Sequence, residues 1–318
     1  MFLLQKELDP NSFTNYKQEV ESNVSIDVKQ MNFDWSHENS ESKGVNFKLK
    51  DISFKVKSGE LLTIVGPVAS GKSTLLLSLL GELKSYTGTV DVKGKVFYVS
   101  QQPWVFTASI KQNIIFGNAF DKRKFDKIIE VCSLKKDLEL LSFGMNTLVG
   151  EKGINLSGGQ RARICMARAL YSDADIFLFD DSLSAVDGTV GKNLLNNCIN
   201  GYLKSKIRIL ITHHVNHLES ADNIIVLKNG EIEAQGDYKT IMKSNISTLK
   251  SLNKDDEDQV EDDAGEAEPE KKIDQKLAEE LRVKEQISKK EREELQQEGS
   301  VSWTLYFDYF FAGKSLPN

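Results

Sequence analysis

Eight consecutive residues carry the densest chemistry in this sequence: Gly66, Pro67, Val68, Ala69, Ser70, Gly71, Lys72 and Ser73, followed by Thr74. The spacing G-x-x-x-x-G-K-[ST] describes a phosphate-binding loop, or P-loop. Gly66 and Gly71 let the backbone curl tightly around an anion where a Cβ would clash. Loop amides and a helix N-terminus then point at phosphate oxygens. Lys72 adds a point charge for the β- and γ-phosphates, and the Ser73 hydroxyl reaches Mg²⁺. A loop of this kind needs a strand before it and a helix after it. Leu61–Val65 is a short apolar, β-leaning run, and Thr74–Leu80 reads as an apolar helix that Gly81 can stop.

Further residues fit the same chemistry. Ile176–Phe179 is a continuous apolar run, the pattern of a buried parallel strand, and it ends in Asp180 and Asp181. Asp180 there reads as the carboxylate partner of the Mg²⁺ ion. Leu156-Ser157-Gly158-Gly159-Gln160 opens a helix that runs through Leu170, with Ser157 as N-cap and its hydroxyl free to serve a phosphate. Ile207–Thr212 reads as another strand, and His213 follows it. His213, His214 and His217 form His-His-Val-Asn-His, which lacks the Glu base of a zinc helix. Gln101 and Gln102 follow the strand-like run Val96–Ser100. Trp35 closes an alternating stretch and is placed either to stack on adenine or to pack inward.

The elements that must position these groups follow from the patterning. Val24–Gly59 and Gly88–Ser100 mix alternating strands with turn residues and predict a small antiparallel β-subdomain. From Pro103 to about Leu148 the pattern turns helical, with amphipathic pieces at Phe125–Cys132 and Lys136–Leu141. Asp175–Ile211 predicts strand–helix–strand of a parallel core. Ile224–Leu227 followed by Lys228-Asn229-Gly230-Glu231 predicts a hairpin with Asn-Gly as its turn.

The combination of the P-loop with L-S-G-G-Q resembles the ATP-binding cassettes, the nucleotide-binding domains of ABC transporters. Ser182-Leu183-Ser184-Ala185-Val186-Asp187 is similar to the D-loop of that superfamily. The details G-P-V-A-S-G-K-S, Q-Q-P-W, the run from Ser109 to Gly117 and F-D-D-S-L-S-A-V-D resemble the first cassette of the C subfamily, the multidrug-resistance-associated-protein-like transporters. The resemblance implies an α/β fold: a RecA-like P-loop core with a parallel sheet, an antiparallel β-subdomain and an α-helical subdomain at about 103–170. It implies ATP and Mg²⁺ as ligands. Gln101 becomes the glutamine that senses Mg²⁺ and couples to membrane domains, His213 the γ-phosphate switch, and Trp35 the adenine stacker. Ser157, Gly158, Gly159 and Gln160 serve the nucleotide of a second cassette, so one chain completes no site. Where most cassettes carry Glu as general base, this sequence has Asp181, one methylene shorter, which implies slow hydrolysis at its own P-loop. Two other readings stay open: a regulatory cassette that occludes ATP and hardly hydrolyses it, and a soluble ABC ATPase with no transport role.

The organisation expected is a lead segment at 1–23, the cassette at 24–250, a linker at 251–297 and an elbow-like amphipathic segment at 298–318. The two ends resemble the joins to membrane domains, which makes the chain similar to the middle of a full-length transporter. A length of 318 residues with 40% hydrophobic residues allows one large or two ordinary domains with a sizeable core. No run approaches the ~18–20 apolar residues of a spanning helix, and no signal peptide is read. Cys132, Cys165 and Cys198 form no paired framework, which fits a reduced compartment. The net charge of −6 is a local property, because ten acids and no base lie between Asp255 and Glu270. That stretch predicts disorder, Lys276–Gln296 an exposed helix with Glu280–Lys284 and Glu285–Lys289 pairs. The linker is either a solvated spacer or a phosphorylated regulator. No basic stripe with aromatics points to nucleic acid. Trp303, Phe307, Phe310 and Phe311 share one helical face, which suits a membrane interface. The site expected is therefore at the cytoplasmic face of a membrane, reached through membrane-domain partners or through 298–318.

Overall fold

A computed structural model describes residues 24–34, 48–83, 86–150, 153, 156–244, 246, 248 and 249. Trp35, the lead segment, the linker and the elbow-like segment lie outside these residues. Two sheets form the frame. β1 (Ser25–Asp34) pairs antiparallel with β2 (Lys48–Lys57) on one side and β4 (Tyr86–Lys93) on the other. The second sheet has six strands in the order β5 (Val96–Val99), β6 (Ile176–Asp180), β7 (Ile207–Ile211), β3 (Leu61–Val65), β8 (Asn223–Lys228), β9 (Glu231–Gly236). Its first five strands are parallel and only β9 runs antiparallel, against β8.

Strands β3, β6 and β7 are buried at every residue, as a parallel sheet covered on both faces requires. Alternation assigns the faces. Ile176 and Leu178 join the core that includes Leu75, Leu76 and Leu79 of α1 (Lys72–Leu79) and the antiparallel sheet. Phe177 and Phe179 join the core built on the helices α2 (Ile110–Ile115), α3 (Lys122–Val131), α4 (Lys135–Leu140) and α5 (Gly158–Tyr171). Helix α6 (Gly188–Leu194) runs into a wide π-helical turn at Leu195–Tyr202 before β7, and α7 (Tyr238–Lys243) follows β9.

The structure corrects one expectation. Val96–Val99 does not belong to the antiparallel subdomain. The chain turns at Gly94, and the Lys95 carbonyl accepts from the amides of Asp175 and Ile176 at 2.8 and 3.0 Å. That junction fixes β5 as the edge of the parallel sheet, beside β6. The expected hairpin is present: Asn229 and Gly230 take φ of 50° and 80° between the paired Lys228 and Glu231, the geometry a two-residue turn of matching twist demands. The Gly230 amide donates to the Ser70 carbonyl at 3.0 Å, and its carbonyl accepts from the Lys50 amide at 2.8 Å. The backbone groups of one residue, Gly230, therefore join the P-loop, the hairpin and the antiparallel sheet.

Candidate functional site

All the strands that carry candidate groups point their C-terminal ends to the same edge of the parallel sheet, the edge at which α/β folds bind ligands. The P-loop follows β3, Asp180 ends β6 with Asp181 just past it, His213 lies two residues past β7, and Gln101 two past β5.

The loop is held from below. A Cβ on Gly66 would lie 2.1 Å from the Leu227 carbonyl oxygen of β8 and 2.8 Å from Ser70 Oγ. Close approach to the neighbouring strand, as well as curvature around an anion, demands glycine there. Lys72 turns its ammonium back into the loop, donating to the carbonyls of Gly66 at 2.8 Å and Pro67 at 2.7 Å. Burial pulls its pKa below the usual lysine range, against the pull of Asp181 and Asp180. A desolvated ammonium resting on carbonyls is a ready partner for phosphate oxygens.

Beside it, Ser73 Oγ donates to Asp180 Oδ1 at 3.2 Å. A hydroxyl and a carboxylate are the hard oxygen donors that Mg²⁺ prefers, so the residues present fit the ion. Asp180 is 5% exposed, and its other oxygen accepts from the Tyr98 hydroxyl at 2.9 Å. Burial, then the charge of Asp180, pushes the Tyr98 hydroxyl well above its usual range.

Asp181 gathers the remaining groups. Its Oδ2 accepts from Gln101 Nε2 at 3.0 Å and meets His213 Nε2 at 2.6 Å. Its backbone sits at φ 47°, in the left-handed region, which costs a non-glycine residue of order 1–3 kcal/mol and clusters at functional sites. The side chain of His213 is 38% exposed while that of Asp181 is 5% exposed, so the imidazole lies between the buried acid and solvent. Gln102 instead accepts from Ser100 Oγ through its carbonyl at 2.8 Å. The rings of His214 and His217 meet edge to face, with centroids 5.3 Å apart. Among the three histidines only His213 is placed on the acid.

The L-S-G-G-Q segment opens α5 through reciprocal capping: Ser157 Oγ accepts from the Gln160 amide at 3.1 Å, and Gln160 Oε1 accepts from the Ser157 amide at 2.9 Å. Ser157 is the N-cap that its position implies; its Oγ gives a lone pair to the cap and keeps its proton for another acceptor. Gln160, 2% exposed, turns inward and donates to Asp137 Oδ1 at 3.0 Å. Ser157 is the exposed residue of the motif, and Gly158 and Gly159 are half-exposed. Asp137 also holds Arg163, whose Nη2 lies 2.9 Å from each carboxylate oxygen.

Three of these residues escape a reading of the sequence: Tyr98, Asp137 and Arg163. The alternation of β5 could have singled out Tyr98, whose hydroxyl shares a sheet face with Leu178. No local signal marks Asp137 or Arg163.

A mostly parallel sheet with a P-loop after its central strand and paired acids at the end of a neighbouring strand defines an α/β P-loop NTPase fold. Residues 49–184 match the family model for the ABC transporter. The chain is 49% identical over 210 residues to ATP-binding cassette sub-family C member 4 of human and of mouse, covering 66% of this chain and 16% of each relative. It is 46% identical over 219 residues to ABC transporter C family member 12 of Dictyostelium discoideum, 69% of this chain and 16% of that one. It is also 46% identical over 231 residues to ABC transporter C family member 3 of Arabidopsis thaliana, 73% and 15% respectively. The chain contains an ABC transporter nucleotide-binding domain that resembles the cassettes of the C subfamily. It spans about a sixth of the length of these relatives.

Proposed function

We propose that the chain binds Mg-ATP and hydrolyses it slowly as one cassette of an ABC-type transporter, at the cytoplasmic face of a membrane. Binding closes it head to tail on a second cassette, and that closure drives membrane domains in solute export. The observation that carries this reading is the convergence of Lys72, Ser73, Asp180, Gln101, Asp181 and His213 at one sheet edge.

In this reading the loop from Gly66 to Thr74 cradles the phosphates with its amides, Lys72 neutralises them, and Trp35 stacks on adenine. Ser73 and Asp180 would hold Mg²⁺, which would supply charge neutralisation at the phosphoryl oxygens. Asp181 takes the proton of the attacking water, His213 leaves Asp181 for the γ-phosphate, and Gln101 orients that water. Ser157, through its hydroxyl proton, and the amides of Gly158 and Gly159 reach the nucleotide held by the opposite cassette, while Gln160 supports them from inside. The short side chain of Asp181 holds its carboxylate back from the water. A general base contributes roughly 10²–10⁴-fold, so turnover at this P-loop is slow.

A second reading has an observation of its own. One buried oxygen of Asp181 accepts from both Gln101 and His213, which suits a cassette that occludes ATP and scarcely turns it over. Steady-state ATPase assays of wild type and Asp181→Glu, each paired with an intact partner cassette, separate the two. A gain of about tenfold or more for the longer acid supports the short-base account; no gain favours occlusion. A purified chain with no affinity for Mg-ATP overturns both.

A further inference from the structure

We infer that Tyr98 is a positioning residue for the metal carboxylate, holding Asp180 so that one of its oxygens faces Ser73 and the Mg²⁺ ion. The inference rests on the reading of Ser73 and Asp180 as the magnesium pair.

The geometry starts with sheet register. Tyr98 of β5 lies opposite Leu178 of β6. Side chains alternate across a strand, so Asp180, two residues beyond Leu178, projects from the same face as Tyr98. A tyrosine is long enough to cross that diagonal, and its hydroxyl donates to Asp180 Oδ2 at 2.9 Å. Ser73 Oγ meets the other oxygen, Oδ1, at 3.2 Å. The two donors hold the two oxygens of one carboxylate, 5% exposed, from two different elements. A carboxylate tied at a single oxygen can still turn about its terminal torsion, which is broad. Fixing Oδ2 removes that freedom and leaves Oδ1 directed at the P-loop serine. Removing a group that orients a metal ligand in this way typically costs about 10–100-fold in metal affinity.

The same segment addresses both acids. Three residues after Tyr98, Gln101 reaches Asp181 at 3.0 Å. The edge strand β5 and its exit thus hold the acid assigned to the ion and the acid assigned to the water in sequence order.

The test uses the full chain loaded with ATP and titrated with Mn²⁺, with the free ion read by electron paramagnetic resonance. Tyr98→Phe removes one oxygen atom and keeps the ring. Its Mn²⁺ dissociation constant is expected to rise about tenfold or more, while ATP affinity in EDTA stays at the wild-type value. An unchanged Mn²⁺ affinity overturns the inference. So does an ATP affinity in EDTA that falls by the same factor, which marks a general loosening of the pocket. Asp180→Asn tests the underlying reading by itself: if Mn²⁺ affinity survives that substitution, the magnesium pair is wrongly assigned. In the Asp180→Asn background Tyr98→Phe should add no further loss, and an additive loss places Tyr98 on a separate path and overturns its assignment.

Discussion

Lys72 illustrates what burial does to a single charge. Its ammonium is desolvated, held below its ordinary pKa, and satisfied by two carbonyls of its own loop. A phosphate offers it a stronger, charge-assisted partner, worth about 1.5–3 kcal/mol. Lys72→Ala should therefore weaken Mg-ATP binding roughly 10–100-fold, as read by titration with a fluorescent nucleotide, and retained wild-type affinity would contradict the phosphate role. The P-loop is legible in the sequence because its parts are consecutive. Tyr98 is not, since it stands 82 residues from Asp180 and meets it only through strand register. Gly66 lies between these cases: the motif names the residue, but the carbonyl of Leu227 that excludes a side chain belongs to a distant strand.

Helix α5 shows the same division at the level of elements. Its start is readable from Ser157 and from Gln160 three residues later, the pattern of reciprocal capping. What the pattern does not reveal is that Asp137 of α4 fastens that cap, taking Gln160 on one oxygen and Arg163 on both. The side chains of Arg163 and Asp137 are 13% and 12% exposed. Removing one partner of so enclosed a pair strands the other, at a cost of about 3 kcal/mol. Asp137→Ala should lower the thermal midpoint accordingly and loosen the α5 N-terminus, whereas Lys136→Ala on the same helix should leave the midpoint close to wild type. Strand β5 marks the opposite failure of sequence reading. Four residues carry too little pattern to tell an antiparallel edge from a parallel one, and the junction of Lys95 with Asp175 and Ile176 decides the matter.

At the scale of the whole molecule, the α/β class and the gathering of most site residues at one sheet edge are foreshadowed by apolar runs that end in P-loop, acids or histidine, whereas the glutamine's strand is not. The head-to-tail arrangement proposed above makes a separable demand on Gly158. A Cβ there meets nothing within 4 Å, so a side chain fits. An acid in the first turn of α5 also complements the helix dipole, so Gly158→Asp should fold well and bind ATP at its own loop normally. Facing a phosphate from a partner, the same carboxylate repels. Turnover at the partner's P-loop should fall on the order of tenfold or more in the paired assembly, and unchanged turnover would argue against a shared pocket.

The backbone of Gly230 has a consequence for how occupancy is sensed. Because its amide rests on Ser70 and its carbonyl receives Lys50, stiffening the loop damps fluctuation in β2 without any ligand touching that strand. Deuterium uptake at the amides of Gly230 and Lys50 should slow together when nucleotide is added, and that shared retardation should vanish in Lys72→Ala at concentrations that saturate the native chain.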